Sequence, residues 1–463
     1  MEVTRDALLL DGWVTVGIKQ VGRDREITAR YVPEPKACTK CGVIGKFHGH
    51  GPVTSSYADT PGWGGSVRII ADLKRYLCLE CKSTFIQPIT GMDAGRRMTQ
   101  RGIEYVQRRC FTATFTHIAN EMGIDDTTIR NIASDYLAVL ESQFKPEIPA
   151  WIGLDETTLD GKLRCVITDV VNKKPIDLLI DREKPTVAGW LWRFRDRAHV
   201  KGLSIDMWRP YKDAAQAVFP GLPVVVDKFH VVRMANTGMT DIRTKLSKEV
   251  DKPRGSYWKR RKILLDMRHK NLDDDGREEL KQWIDNEPQF GEAYWLKERF
   301  YDIYDAPTKE EAGRLLDAWR ADVPKWMCWE QKKGYAPLMS CTKNWRDEIL
   351  EFFTHPVTNA YTEALNGVTK VANRMGRGYS YEIIRARLLF RNLPDEIDMT
   401  PRHYNLEPGA RAPSRTTYDW PQCMNCLAEY PPSQMTVDSL PFPEGHVLNM
   451  ALLCPECEDR FHG

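Results

Sequence analysis

The chain has 463 residues, with 66 Lys and Arg against 64 Asp and Glu, a formal net charge of +2 and a hydrophobic share of 42%. That length exceeds one ordinary core and implies several domains. The near-even charge excludes a polycation, so any nucleic-acid contact must come from local patches, and no apolar run approaches the roughly 20 residues of a membrane span.

The start, Met1 to Ala7, carries acidic residues and lacks a signal-peptide core, so a cytoplasmic protein is expected. Within an N-terminal region of residues 1–95, short alternating runs such as Trp13 to Ile18 predict strands in residues 1–35. Eight of the twelve cysteines fall in four Cys-x-x-Cys pairs: Cys38/Cys41, Cys78/Cys81, Cys423/Cys426 and Cys454/Cys457. In a reducing compartment such knuckles favour zinc over disulfides. Residues 36–90 therefore read as a zinc ribbon in which Cys38, Cys41, Cys78 and Cys81 close a tetrahedral site. His48 and His50 could replace a thiolate; the plainer reading leaves them exposed in a loop.

Residues 96–145 read as a helix-turn-helix DNA-binding domain. Arg101 to Arg109 suits a first helix, Thr116 to Met122 a second ended by Gly123, and Thr127 to Leu137 a third capped by Asp125 or Asp126. Ala119 is small where helices cross and Ile129 plugs between them. The third helix would offer Thr127, Thr128, Arg130 and Asn131 to a major groove; a plain helical hairpin is the bland alternative.

After the Pro-bounded linker Lys145 to Pro149, Trp151 to Val171 reads as a β-hairpin with Asp155 where its first strand ends. A strand at Pro175–Ile180, a helix at Thr186–Arg197, a strand ending on Asp206, a helix at Tyr211–Phe219 and a strand ending on Asp227 follow. Three strands, helix, strand, helix, strand is the ribonuclease H-like order, a mixed sheet flanked by helices. It covers residues 150–235 as the first part of such a core. Residues 236–344 read as a helical insertion. Its densest basic-aromatic stretch, Lys252 to Lys262, offers Lys259, Arg260 and Arg261 to phosphates, or is simply a solvated face. Residues 345–395 complete the core: an amphipathic helix from Trp345 to Phe353, then a helix that Asn359 can cap. On that second helix Glu363, Asn366 and Lys370 share one face, and Lys370 is a further candidate for DNA contact. Residues 396–463 read as a linker and a C-terminal zinc module of Cys423, Cys426, Cys454 and Cys457. The fold class expected is thus multidomain α/β.

Carboxylates from distant parts of the chain, each at a strand end or on one helix face, suit a two-metal site for phosphodiester chemistry. Asp155 and Glu363 are the first choices, and Mg²⁺ or Mn²⁺ the expected ion. For the middle acid, topology favours Asp206, because the fourth strand of such a sheet lies beside the first. Asp227 with His230 forms a secondary constellation. His230 could touch the scissile phosphate or orient a base, or be a packed structural histidine. Asp227 remains open as the second ligand.

Ser204-Ile-Asp-Met-Trp-Arg-Pro-Tyr211, Val226-Asp-Lys-Phe-His-Val231 and Thr358-Asn-Ala-Tyr-Thr-Glu-Ala-Leu-Asn366 resemble the signature blocks of bacterial insertion-sequence transposases of the ISL-three group. The resemblance spans about residues 36–395. It implies a DDE transposase with Asp155, Asp206 and Glu363 as triad, Mg²⁺, terminal inverted-repeat DNA and target DNA as partners, a homodimer or higher oligomer, and a nucleoid-associated location. The C-terminal four-cysteine segment departs from that pattern. The competing readings are a catalytically dead, transposase-derived DNA-binding regulator and a host nuclease with the same metal site.

Overall fold

The computed structural model describes residues 8–326, 329–376, 378–391, 436–439 and 450–453. Cys423, Cys426, Cys454 and Cys457, and with them the expected C-terminal zinc module, lie outside the described residues. The chain divides into two compact units, Met1–Lys145 with Ala372–Thr416 and Pro146–Val371 with Thr417–Gly463.

In the first unit the strands are β1 (Trp13–Val21), β2 (Asp24–Tyr31), β3 (Phe47–Gly62), β4 (Gly65–Cys78), β5 (Thr84–Ile86), β6 (Met92–Asp93) and β7 (Met98–Thr99). Their order is β1-β2-β4-β3-β7-β6, with β5 on β4. Val67, Ile69, Ala71 and Leu73 alternate inward along β4 and pack with Trp13, Ile27 and Tyr31, the period-2 pattern of a strand with one buried face. The stretch between the first two cysteine pairs is this β3–β4 hairpin. Phe47 pairs with Cys78 at its open end and Gly62 with Gly65 at its tip. The hairpin returns the chain to its start, so two knuckles far apart in sequence meet.

Helices α1 (Gln100–Arg109), α2 (Phe115–Met122) and α3 (Asp126–Gln143) follow. Thr99, Thr114 and Asp125 each accept a hydrogen bond from a first-turn N–H, satisfying donors that a helix start leaves without partners. Gly123, at φ 63°, ends α2 in the left-handed conformation. Ala119 and Ile129 are buried as expected. Helix α3 runs past Leu137 to Gln143, because Tyr136, Leu137 and Leu140 keep a buried helical face. A late helix, Tyr381–Leu389, also belongs to this unit. Arg385 pairs with Glu141, and the Phe115 N–H donates to the Tyr379 hydroxyl at 2.8 Å.

The second unit opens with β8 (Trp151–Leu159), β9 (Lys162–Asp169), β10 (Lys174–Leu178), α4 (Lys184–Trp192), β11 (Gly202–Ile205), α5 (Arg209–Val218) and β12 (Val224–Val226). The sheet order is β10-β9-β8-β11-β12. β9 is antiparallel to both neighbours, whereas β8, β11 and β12 run parallel. Ile152, Leu154, Ile167, Leu203 and Ile205 share a core with Val187, Leu191, Tyr211 and Ala214 of the helices. One expectation needs correction. Asp155 does not end its strand but lies in mid-β8, opposite Val166; pairing with β9 continues beyond the point where pairing with β11 stops at Leu154.

The helices that follow are α6 (Lys228–Leu246), α7 (Lys252–Arg260), α8 (Lys262–Asp266), α9 (Asp274–Asn286), α10 (Pro288–Ile303), α11 (Lys309–Trp326), α12 (Trp329–Asn344), α13 (Arg346–Leu350) and α14 (Ala360–Met375). Their aromatic residues make a core of their own, including Trp258, Trp283, Phe290, Tyr294, Phe300, Trp319 and Tyr335. The single helix expected from Trp345 to Phe353 is instead α13 plus a 3-10 turn, Glu351–Phe353. Phe353 stacks on Tyr304. Strands β13 (Thr436–Ser439) and β14 (Met450–Leu453) pair antiparallel. No described helix is long and apolar enough to cross a membrane.

Candidate functional site

Four acids and one histidine converge at the end of the parallel strands of the second unit. Asp155 is on β8. Asp206 directly follows β11, and its N–H donates to the Leu154 carbonyl at 3.3 Å. Asp227 follows β12 and caps α6, accepting from the Phe229 N–H at 3.4 Å. His230 lies one turn into α6, and Glu363 in the first turn of α14.

His230 is at the centre. Its Nδ1 lies 3.6 Å from Asp227 Oδ2 and 4.0 Å from Asp206 Oδ1, and its Nε2 lies 3.5 Å from Glu363 Oε1. One ligand atom each from Asp155, Asp206 and His230 all lie within 4.8 Å of one another, as do those of Asp227, His230 and Glu363. Asp227 Oδ2 and His230 Nδ1 are both buried and lack a hydrogen-bond partner.

The electrostatics follow from crowding. Burial, opposed by the His230 charge and reinforced by Asp206, Glu363 and Asp227, pushes the Asp155 carboxyl up to about 7. Burial likewise raises Glu363, again against the pull of His230. At His230 burial disfavours the charged ring, but the contact with Asp227 and the charges of Asp206 and Asp155 outweigh it, raising the imidazole to about 9. The metal-free site thus holds an imidazolium among carboxylates, a place for positive charge. A cluster of hard oxygen donors of this kind fits divalent cations such as Mg²⁺.

A buried polar stripe on α14 joins that helix to the sheet. Asn359, Thr362, Asn366 and Thr369 all face inward and are at most 5% exposed. The Asn359 amide donates to the carbonyls of Leu154 (3.0 Å), directly before Asp155 on β8, and of Ser204 on β11 (3.2 Å), two residues before Asp206. Its side-chain oxygen accepts no hydrogen bond, so Asn359 is not the side-chain cap expected from sequence; strand carbonyls claim its amide. Gly153 permits this approach, because a Cβ there would lie 2.4 Å from Thr168 Oγ1 and 3.0 Å from Asn359 Oδ1. Thr362 and Thr168 share a hydrogen bond of 2.6 Å. Asn366 Nδ2 donates to Asp155 Oδ2 at 2.8 Å and to the Glu156 carbonyl at 3.1 Å. Asn366 was visible in the sequence as a neighbour of Glu363, but the anchoring roles of Asn359 and Thr362 were not. The available signal was polar residues at positions 359, 362, 366 and 369, the spacing of a helix's buried face.

The other candidates sort as follows. Thr127, Arg130 and Asn131 are exposed and Thr128 half-buried on α3. Lys259 and Arg260 are exposed, while Arg261 is held by Glu279 and Trp258 is buried in the helical core. Lys370 is exposed on α14. In the first unit Cys38, Cys41, Cys78 and Cys81 form one cluster. Its Sγ–Sγ distances include 3.9 Å (Cys38–Cys81) and 3.7 Å (Cys41–Cys78). A tetrahedron with metal–sulfur bonds of about 2.3 Å has edges of about 3.8 Å, so this cluster could bind zinc. His48 and His50 are exposed on β3 and outside the cluster.

A family model described as a transposase matches residues 152–388, just over half of the chain. A second, the helix-turn-helix domain of transposase family ISL3, matches residues 87–137. The chain is also similar to the transposase for insertion sequence element IS1001 of Bordetella parapertussis, 21% identical over 402 residues, which cover 82% of this chain and 97% of that protein.

Proposed function

This chain belongs to the ISL3 family of DDE transposases, and from that premise we propose that Asp155, Asp206 and Glu363 are its catalytic triad. In this reading they would hold divalent ions such as Mg²⁺, and the enzyme would cleave the ends of an insertion sequence and join them to target DNA. The sheet with its flanking helices is read as a ribonuclease H-like core, and α6 to α12 as an insertion within it. The single observation that carries the proposal is the meeting of Asp155 and Glu363: Asn366, one turn beyond Glu363, donates to Asp155, while Glu363 and Asp206 both face His230.

Bound divalent ions would activate the attacking oxygen and stabilise the leaving one. The chain's own groups do the positioning. Asn366 donates to one oxygen of the Asp155 carboxylate and the Glu156 N–H to the other, which fixes the orientation of the group. Asp227, fully buried and already capping α6, is favoured as the residue that orients His230 rather than as a ligand. His230, positively charged before metal binding, is placed to meet a phosphate once the carboxylates turn to the ions. Thr127, Thr128, Arg130 and Asn131 would read the terminal inverted repeat in the major groove. Lys259, Arg260 and Lys370 are proposed as phosphate contacts, with Arg261 less so because Glu279 neutralises it. The four N-terminal thiolates are proposed to hold a structural Zn²⁺. Two element ends processed together argue for at least a dimer.

The test is cleavage and strand transfer on a duplex carrying the element's own end, with Mg²⁺. Asp155→Ala, Asp206→Ala and Glu363→Ala should each abolish both steps while specific end binding persists. If Asp227→Ala proves dead and Asp206→Ala active, Asp227 is the ligand. Full strand transfer by Glu363→Ala would remove the triad.

A further inference from the structure

Three turns of the first unit interlock beside the start of the recognition helix. At Gly65 a Cβ would fall 1.9 Å from the Arg23 carbonyl oxygen, so the β1–β2 turn is pressed against the tip of the β3–β4 hairpin. The Ser66 N–H donates to Asp24 Oδ1 at 2.8 Å, closing the same contact. At Gly123 a Cβ would fall 2.8 Å from Ser66 Oγ, so the hairpin tip in turn abuts the α2–α3 turn. Arg68 Nη2 donates to the Gly123 carbonyl at 3.0 Å. A side chain at Gly65 would strike the Arg23 backbone and one at Gly123 would strike the Ser66 side chain, so the hairpin tips and the entry to α3 pack as one edge.

The hairpin tips carry arginines and an aromatic ring, whereas the entry to α3 carries Asp125 and Asp126. Trp63, at the tip, is 71% exposed and sits at φ 51°, a conformation unfavourable for a bulky side chain. The Arg25 guanidinium lies 5.1 Å from its ring centroid and donates to the carbonyls of Arg23 (3.1 Å) and Trp63 (3.4 Å). Arg23 is exposed. The nearby acid, Asp24, is bound to the Ser66 N–H and held below the usual carboxylate range by it. A residue in the left-handed region thus presents a large, mostly exposed ring, backed by two arginines, near the helix proposed to read DNA.

We propose that the paired hairpin tips, with Trp63, Arg23 and Arg25, form a second DNA contact flanking α3. Arg23 and Arg25 take phosphates, and Trp63 packs against the sugar edge of the same duplex. The inference rests on DNA binding by the helix-turn-helix. It adds a contact outside the recognition helix that widens the bound site toward the adjacent groove.

The test is fluorescence-anisotropy titration of the full-length protein with a labelled duplex of the element's own end, over a series of salt concentrations, with footprinting. Arg23→Ala should weaken binding and flatten the slope of log K against log salt by about 0.9, the value for one lost phosphate contact. Trp63→Ala should weaken binding and shorten the protected region at one end, with Trp63→Phe recovering part of it. Affinity, slope and footprint unchanged in both Arg23→Ala and Trp63→Ala would overturn the proposal. Arg130→Ala and Asn131→Ala serve as the separate control: if they leave binding intact, recognition by α3 fails and with it the premise of this inference, an outcome distinct from a loss confined to the hairpin variants. Because Arg23 and Trp63 are exposed, unchanged melting curves distinguish a lost contact from lost folding.

Discussion

Four thiolates in one unit and four acids with a histidine in the other are both clusters of metal-ligand type, yet they are assembled differently. Each half of the cysteine site is a local knuckle, two ligands three residues apart, and one hairpin brings the halves together. Its four sulfurs are as many as a closed tetrahedral structural site needs. The acid site draws on two parallel strand ends, a mid-strand residue, a helix start and a helix that follows a long insertion. It has more donors than one ion needs, and a cation of its own in His230. The first arrangement is suited to holding a fold together; the second holds like charges together against their repulsion, which stability alone would not favour and catalysis requires.

The largest expected effect tests this contrast directly. Asp155→Ala or Glu363→Ala should reduce strand cleavage by roughly a thousandfold or more, measured on the pre-formed DNA end, while the melting temperature stays the same or rises as like-charge crowding is relieved. A large fall in melting temperature would make the acids structural and erase the contrast. Cys38→Ser should do the opposite. It should abolish zinc content by metal analysis and lower the melting temperature of the first unit, because structural zinc supplies folding free energy; a stable, zinc-free protein that still binds DNA would break the comparison from the other side.

Asn366→Ala should weaken Mg²⁺ binding by about 10–100-fold, as loss of an orienting partner does at other metal sites, with Asn366→Asp failing to restore the orientation because a carboxylate cannot donate to Asp155. Calorimetric Mg²⁺ titration of both variants checks this. The smallest effect is in pH. The Asp155 carboxyl is raised to about 7, so below that pH a proton competes with the ion. Mg²⁺ affinity should fall about tenfold per unit as pH drops below 7 and level off above it, with proton release on binding. In the metal-free protein the sign for stability is opposite. The native state keeps a proton that the unfolded chain has lost, so this group favours the fold as pH falls through 7 and disfavours it as pH rises.

Local chemistry made much of this molecule legible in its sequence. The cysteine spacing announced the knuckles, Gly123 ended α2 and Asp125 began the recognition helix, and the alternation of strands and helices gave the sheet its membership. The acids Asp155, Asp206, Asp227 and Glu363 could be named because each ends or follows an apolar run or shares a helix face. What sequence could not supply was contact across distance. That Asn359 would reach two strand carbonyls, that Asn366 would hold Asp155, that Trp258 would be core rather than surface, and that Gly65, Ser66 and Gly123 would lock three turns together all depend on segments far apart in the chain. Periodicity and capping are set within a turn or two of each residue, whereas these pairings arise only when separate elements pack and buried polar groups must find partners.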